Sequence, residues 1–289
     1  MTGCLAILGP GALGLSAAQW AAECGLDVRL LGRDLAHARH GLEEVERRWK
    51  LALERGTLSP EVHGQARTRI QVASFGPKAM EDVSIFLEAL PEDPAVKAPA
   101  LAEAARWGAA NLLMLSGTSA LPIAGLAEAA QIPGRLLGFH LFLPVPRMAV
   151  VEVTVPPGTT PDLLARAQTL GLVLRKRVVV VRDQPGFAAA RMALAQGLEA
   201  IRLLDAGVAS ADDLDALMTL GYGHPTGPLE LSDRVGLDLR LRIAEGLFQG
   251  SGDARFEPPA LLRQLVARGE TGRKAGKGFY IWDPDGRRL

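Results

Sequence analysis

One histidine and one acid stand where the sequence otherwise reads as core. In GFHLFLPVPRMAVVEV, residues 138–153, His140 sits among apolar residues and Glu152 follows twelve positions later inside AVVEV. A rigid Pro144-Val145-Pro146 turn lies between them. Burying either ionisable group alone is unfavourable, so each needs a partner, and the simplest partner for each is the other. Histidine titrates near neutrality, which suits a general base, and a carboxylate behind it fixes the tautomer and stabilises the imidazolium that forms. Taken alone, His140 reads more readily as a core histidine with a satisfied hydrogen bond; Glu152 and the flanking motif turn the reading toward a base.

A second constellation opens the chain. ILGPGALGLSAAQWAAECG places Gly9, Gly11 and Gly14 in the spacing G-x-G-x-x-G, with Ala12 and Leu13 between the last two. It follows a short apolar strand pattern and starts a helical one. The first glycine permits a tight turn, the second lets the backbone approach a pyrophosphate, and the third lets helix and strand pack closely. The helix N-terminus then faces the phosphates. This context points to dinucleotide binding.

The next strand should end in an acid that holds the adenosine ribose. Here it ends Leu30-Leu31-Gly32-Arg33-Asp34, with glycine at the expected position. Arg33 can accommodate a 2′-phosphate, which favours NADP. Asp34 can be a displaced ribose ligand, or can simply cap the following helix. The cofactor is therefore NAD or NADP.

These residues need a scaffold, and the chain alternates in a way that supplies one. CLAIL (4–8), DVRLL (27–31), DVSIFLEAL (82–90), NLLMLS (111–116) and VLRKRVVVVRD (173–183) read as strands. Helical patterns fall after the glycine loop, over 34–56 behind the Asp34 cap, and over PAVKAPALAEAARWG. The alternation predicts a parallel sheet covered on both faces. At Gln184-Pro185-Gly186 the period changes, and helices are expected to about Asp205, from Ser210, after Pro228 and after Pro258. The fold class expected is an α/β Rossmann-type N-terminal domain (1–184) followed by an all-α C-terminal domain (185–289).

The bulk composition excludes several roles. Thirty-two basic residues balance 32 acidic ones in 289, so no strong field for nucleic acid or an anionic membrane arises. Hydrophobic residues make up 48%, enough for sizeable cores. Cys4 and Cys24 form no metal-ligand or disulfide pattern, and no metal is expected. No apolar run reaches membrane-span length, and the opening MTGCLAIL reads as a strand and not a signal peptide. The location expected is cytoplasmic.

The whole chain resembles the L-3-hydroxyacyl-CoA dehydrogenases, including the 3-hydroxybutyryl-CoA type. The resemblance rests on GPGALG (9–14), EALPEDPAVK (88–97), SGTSAL (116–121), GFHLFLPVPRMAVVEV (138–153), GFAAAR (186–191), GYGHPTGPLELSDRVGLD (221–238) and GRKAGKGFYIW (272–282), all in the family's order. It implies that His140 and Glu152 are the catalytic pair, that Ser119 lies near the substrate hydroxyl, and that Glu92 and Lys97 lie near the nicotinamide end of the cofactor. It also implies an acyl-CoA substrate, fatty acid metabolism, a site between two domains, and a homodimer formed through the helical half. Ser119 also reads as a helix N-cap before Leu121-Pro122.

Oxidising a secondary alcohol with a nicotinamide removes a hydride from carbon and a proton from oxygen. His140 backed by Glu152 suits the proton, and a hydroxyl such as that of Ser119 can donate to the ketone oxygen in the reverse direction. Three positions depart from the family's pattern. Ala190 replaces the asparagine of G-F-x-x-N-R, Leu143 replaces that of H-F-F-N-P-V-P, and Gly117 opens the stretch that is usually N-T-S-S. The departures leave two alternatives to an acyl-CoA dehydrogenase: a catalytically degenerate paralogue that binds cofactor or acyl-CoA, and a dehydrogenase of a non-CoA 3-hydroxy acid.

Overall fold

The strand residues alternate in which face they bury, and this builds the first half of the protein. In the computed structural model, which describes residues 3–289, β1 (Cys4–Leu8) sends Leu5 and Ile7 into one core and Ala6 and Leu8 into another. A sheet buried on both faces requires such strands, apolar at every position. The chain runs on through α1 (Ala12–Glu23), β2 (Val28–Gly32), α2 (Leu35–Glu54), α3 (Pro60–Arg69), β3 (Ile70–Ser74), β4 (Val83–Glu88), α4 (Pro94–Trp107), β5 (Leu113–Ser116) and α5 (Ile123–Ala129). Then come β6 (Leu136–Leu141), β7 (Val150–Val155), α6 (Pro161–Val173) and β8 (Arg177–Arg182). The eight strands form one sheet in the order β3-β2-β1-β4-β5-β6-β7-β8.

The sheet is not wholly parallel, as the alternation had suggested. The β6–β7 pair is antiparallel, with Phe139 opposite Val153 and His140 opposite Glu152, while β7 and β8 are parallel. A short connection carrying two prolines leaves no room for a helical crossover, so the chain must return beside itself. The expected strand at 173–183 shrinks to Arg177–Arg182, because Val173 closes α6 and Arg175 turns the chain at a φ of 55°. Unread in the sequence were β6, β7 and α6, and also α3, capped by Ser59, and the edge strand β3. The α3 helix is polar and β3 is short, so neither shows a strong hydrophobic period.

Capping fixes several element starts. Asp34 accepts the His37 amide at 2.7 Å and begins α2. The α5 helix is capped at a distance: Asp183, just past β8, takes the Ile123 and Ala124 amides at 3.0 and 2.7 Å. Ser119 is therefore not the cap of that helix.

The first compact unit ends at Phe187 and the second runs from Ala188 to Leu289. The second contains α7 (Ala189–Asp205), α8 (Ala211–Ala216), α9 (Pro228–Val235), α10 (Leu237–Ser251) and α11 (Ala260–Ala267). What read as one helix after Pro228 is two, broken at Gly236, whose φ of 100° interrupts any right-handed helix. Leu194, Leu198, Ile201, Leu229, Leu237 and Leu262 are among its core residues. Two buried carboxylates brace this unit: Asp215 receives the Leu229 and Glu230 amides and the Tyr280 hydroxyl, and Asp233 receives the Phe279 and Tyr280 amides and the Trp282 indole N–H. The chain is thus an α/β Rossmann-type unit followed by an all-helical one. Among the described residues, no helix is long and apolar enough to cross a membrane, and no three His, Cys, Asp or Glu side chains gather to hold a metal.

Candidate active site

Four neighbouring parallel strands, β1, β4, β5 and β6, end on the same edge of the sheet. Gly9, Gly11, Gly14, Glu92, Ser119 and His140 lie at or just past those ends, while Lys97 follows on α4 and Glu152 faces His140 from β7. The chain leaves β1 toward β2 on one side and reaches β4 on the other, so the crevice at β1/β4 is a topological switch point, where open α/β sheets take their ligands.

The glycine loop fits a dinucleotide on steric grounds. Gly9 turns at a φ of 107°, and a Cβ there would meet the Ala89 carbonyl oxygen at 2.6 Å. A Cβ on Gly14 would run into the Gly9 carbonyl oxygen, which is the close helix–strand packing its place in the motif demands. Above Gly11 there is open space, so a phosphate can approach the backbone closely. Gly11 is the N-cap of α1, and no side chain caps the first-turn amides of Ala12, Leu13 and Gly14. Amides left open at a helix start are what an anionic pyrophosphate needs.

At the ends of β4 and β5 stands a buried ionic knot. Lys97 Nζ lies 2.8 Å from Glu88 Oε1, 3.1 Å from the Leu90 carbonyl and 3.3 Å from Glu92 Oε2. Glu88 is fully buried and also takes the Ser116 hydroxyl at 2.6 Å and the Leu90 amide at 2.5 Å. Glu92 accepts the Thr118 hydroxyl at 2.6 Å and the Ser119 amide and hydroxyl at 2.9 and 3.2 Å. Burial pushes the Glu92 carboxyl up, but the Thr118 hydroxyl, the Lys97 charge and the Ser119 amide together hold it below its ordinary value. Ser119 is thus tied to Glu92, and Lys97 reaches the crevice only through Glu92. Glu88, Ser116 and Thr118 escaped the sequence reading. The signal for Glu88 was there, however: a lone acid in the apolar run VSIFLE is the pattern that marked Glu152 in AVVEV.

At the end of β6, His140 Nδ1 lies 2.9 Å from Glu152 Oε2. They are direct cross-strand partners, so the antiparallel register sets their contact. A carboxylate only accepts, so Nδ1 donates to it, and in the neutral imidazole Nε2 then presents its lone pair. Nε2 has no hydrogen-bond partner among the described residues. The His140 ring packs 4.4 Å from Phe142 and 6.2 Å from Phe187, which limits its rotation. The turn joining the pair is clamped by residues that carried no motif. Lys176 Nζ donates to the Val145 and Met148 carbonyls at 2.6 Å each, and Ser16 accepts the Val145 amide at 3.0 Å.

Two of the departing positions lie in this unit. A Cβ at Gly117 would sit 2.7 Å from Leu13 Cδ2 and 3.0 Å from the Glu88 carbonyl oxygen, so a side chain there requires the tip of Leu13 to shift. Leu143 is half-exposed in the turn. In the second unit, Ala190 lies in the first turn of α7 and offers only a methyl group.

Comparison with known proteins matches both halves of the chain to one family. Residues 4–184 match the model of the 3-hydroxyacyl-CoA dehydrogenase NAD binding domain, and residues 186–282 match the C-terminal domain of the same family. The chain is 34% identical over 281 residues to a probable 3-hydroxybutyryl-CoA dehydrogenase of Bacillus subtilis, covering 96% of each. It is 33% identical to the 3-hydroxybutyryl-CoA dehydrogenase of Mycobacterium tuberculosis, covering 96% of this chain and 97% of that one. The crystal structure of (S)-3-hydroxybutyryl-CoA dehydrogenase from Ralstonia eutropha superposes with a TM-score of 0.93 at 31% identity, covering 98% of this chain and all of that one.

Proposed function

The chain belongs to the 3-hydroxyacyl-CoA dehydrogenase family, and from that premise we propose that it is an oxidoreductase moving hydride between NAD(P) and the 3-hydroxy/3-keto group of an acyl-CoA. One observation carries the proposal: the base His140 is held by Glu152 through Nδ1, with Nε2 open, on the strand edge that also bears the glycine loop.

The nicotinamide supplies the hydride chemistry when bound. In alcohol oxidation His140 takes the hydroxyl proton at Nε2, and in ketone reduction it returns it. Glu152 holds the imidazole in the required tautomer and balances its positive charge. Gly9, Gly11, Ala12, Leu13 and Gly14 would hold the pyrophosphate of the dinucleotide. Glu92, braced by Lys97, holds Ser119 at the edge where the substrate oxygen sits. With its proton given to Glu92, the Ser119 oxygen accepts from a hydroxyl; to donate to a ketone it must turn away from Glu92.

The first unit then serves the dinucleotide, and the second serves the substrate and self-association. The exposed apolar residues Met192, Leu217, Leu220 and Tyr222 of the second unit support a homodimer. The place that fits such an enzyme is the cytoplasm, in fatty acid metabolism.

Steady-state assays with 3-hydroxybutyryl-CoA and acetoacetyl-CoA, each with both cofactors, test the proposal. Turnover of the CoA esters is expected; full inactivity with firm cofactor binding would leave a degenerate paralogue. A second reading, a non-CoA 3-hydroxy acid as substrate, draws on Ala190, Leu143 and Gly117. It requires the free acid to outperform its CoA ester.

A further inference from the structure

At the end of β2, where a dinucleotide fold that takes NAD carries the acid for the adenosine ribose diol, this chain has no room for one. An ideal Cβ on Gly32 would lie 2.7 Å from the Ala38 amide nitrogen, 2.8 Å from the Asp34 carbonyl oxygen and 3.2 Å from Ala38 Cα. All three are backbone atoms of the α2 start, which cannot swing aside as a side chain can. No side chain of any kind fits at 32 unless the helix start moves.

The nearby acid is engaged elsewhere. Asp34 Oδ1 accepts the His37 amide at 2.7 Å as the N-cap of α2, and Oδ2 faces Arg33 Nε at 3.4 Å. Redirecting this carboxylate to a ribose would uncap a 20-residue helix. Between the two stands Arg33, its side chain 81% exposed and its two Nη groups without a hydrogen-bond partner among the described residues. Ser74, the register partner of Gly32 on β3, is exposed and adds a hydroxyl donor at the same strand edge. The edge therefore offers donors and a positive charge where a diol needs an acceptor, and a phosphate monoester needs donors.

We propose that the dinucleotide is the 2′-phosphorylated form, NADP(H), with Arg33 gripping the 2′-phosphate and Gly32 excluding the acid that would select NAD(H). The proposal rests on the reading of Gly9–Gly14 as a dinucleotide cradle and adds to it which dinucleotide is taken. Selection here is both attractive and repulsive in origin, since the diol finds no carboxylate and the phosphate finds a guanidinium.

Direct binding to the full chain tests this without any turnover. Titrations with NADPH and NADH, by cofactor fluorescence or calorimetry, should give NADPH the tighter binding by about tenfold or more, as a charge-assisted guanidinium–phosphate contact implies. Adenosine 2′,5′-bisphosphate should displace NADPH at concentrations where 5′-AMP does not. Arg33→Ala should weaken NADPH by about the same factor and leave NADH within about twofold. Equal or tighter binding of NADH, or an Arg33→Ala loss shared equally by both cofactors, would overturn the proposal while leaving the cradle intact. Binding of neither cofactor would overturn the cradle itself, and this inference with it.

Discussion

Lys97 and Glu88 form an ion pair of 2.8 Å with both side chains almost wholly out of solvent, at 1% and 0% exposure. The pair lies at the carboxyl ends of the strands that meet at the switch point. Removing either partner strands the other charge in the interior, which typically costs about 3–5 kcal/mol. Lys97→Met and Glu88→Gln should therefore each lower unfolding free energy strongly, measured by urea denaturation. The double change Lys97→Met/Glu88→Leu should cost less than the sum, because neither fully buried charge is left behind and Glu92, which also faces Lys97, is 41% exposed and stays solvated. Additive losses would mean that the pair is not coupled.

Glu92 makes a different kind of prediction, about pH. Its folded-state pKa lies below the ordinary value of 4.5, so its ionised form is favoured by folding. The stabilisation is fully present above about pH 4.5 and is lost as pH falls through the depressed value. The stability gap between the wild type and Glu92→Gln should thus be constant at neutral pH and close on acidification below 4.5. Because Glu92 stays ionised across the neutral range, Glu92→Gln should lower kcat/KM through loss of the Ser119 anchor and leave the neutral limbs of the pH–rate profile in place. A limb near neutrality that disappears in Glu92→Gln would contradict this.

Lys176 braces the turn between His140 and Glu152 without touching either. Its ammonium is the donor for two carbonyls of the Val145–Met148 turn and sits 4.5 Å from the Trp20 ring centroid. Lys176→Met should leave both carbonyls unpaired and lower stability by about 1–3 kcal/mol. It should reduce kcat more than it weakens cofactor binding, since the turn sets how His140 meets Glu152 while the glycine cradle lies elsewhere. A loss confined to cofactor affinity would remove Lys176 from this role.

The strand ends were legible in the sequence because they combine an apolar run with a single polar residue that has no other reason to be there. His140 and Glu152 were found that way, and the β6–β7 register makes them neighbours by construction. The antiparallel turn at β7 was not legible, since alternation of strands and helices fixes which elements exist but not the direction of one short return. Nor was the support around the site. Lys176 looks like any lysine in LRKRVVVV, and Asp183 like a polar residue after a strand, until tertiary contact brings the first to the turn and the second to the start of α5. Ser119 was only half legible. Its neighbourhood of turn residues suggested a cap, and only the fold shows its amide and hydroxyl on Glu92 instead.

Self-association should depend on the exposed apolar residues between α8 and α9. Leu220 is 87% exposed and Tyr222 78%, in a stretch where a soluble monomer would favour polar groups. Light scattering should give a dimer mass at micromolar concentration, and Leu220→Glu should shift it toward the monomer with folding intact by circular dichroism. A monomeric wild type would refute the homodimer.

The dyad gives the sharpest prediction. His140→Ala should lower kcat sharply and leave cofactor affinity nearly unchanged, because the imidazole acts on the proton in the transition state and does not touch the glycine cradle. Glu152→Gln keeps the shape of the site and removes its charge. The amide can still accept from Nδ1, but it stabilises an imidazolium poorly, so kcat should fall here too. In the reduction direction the imidazolium is the acid, and losing the carboxylate should carry the basic limb of the profile to lower pH. The combined variant should lose much less than the sum of the two single losses in free energy, since a base and its orienter act as one unit. Simple additivity, or a Glu152→Gln profile that superposes on the wild type, would mean that the 2.9 Å contact is structural and that the proton leaves by another route.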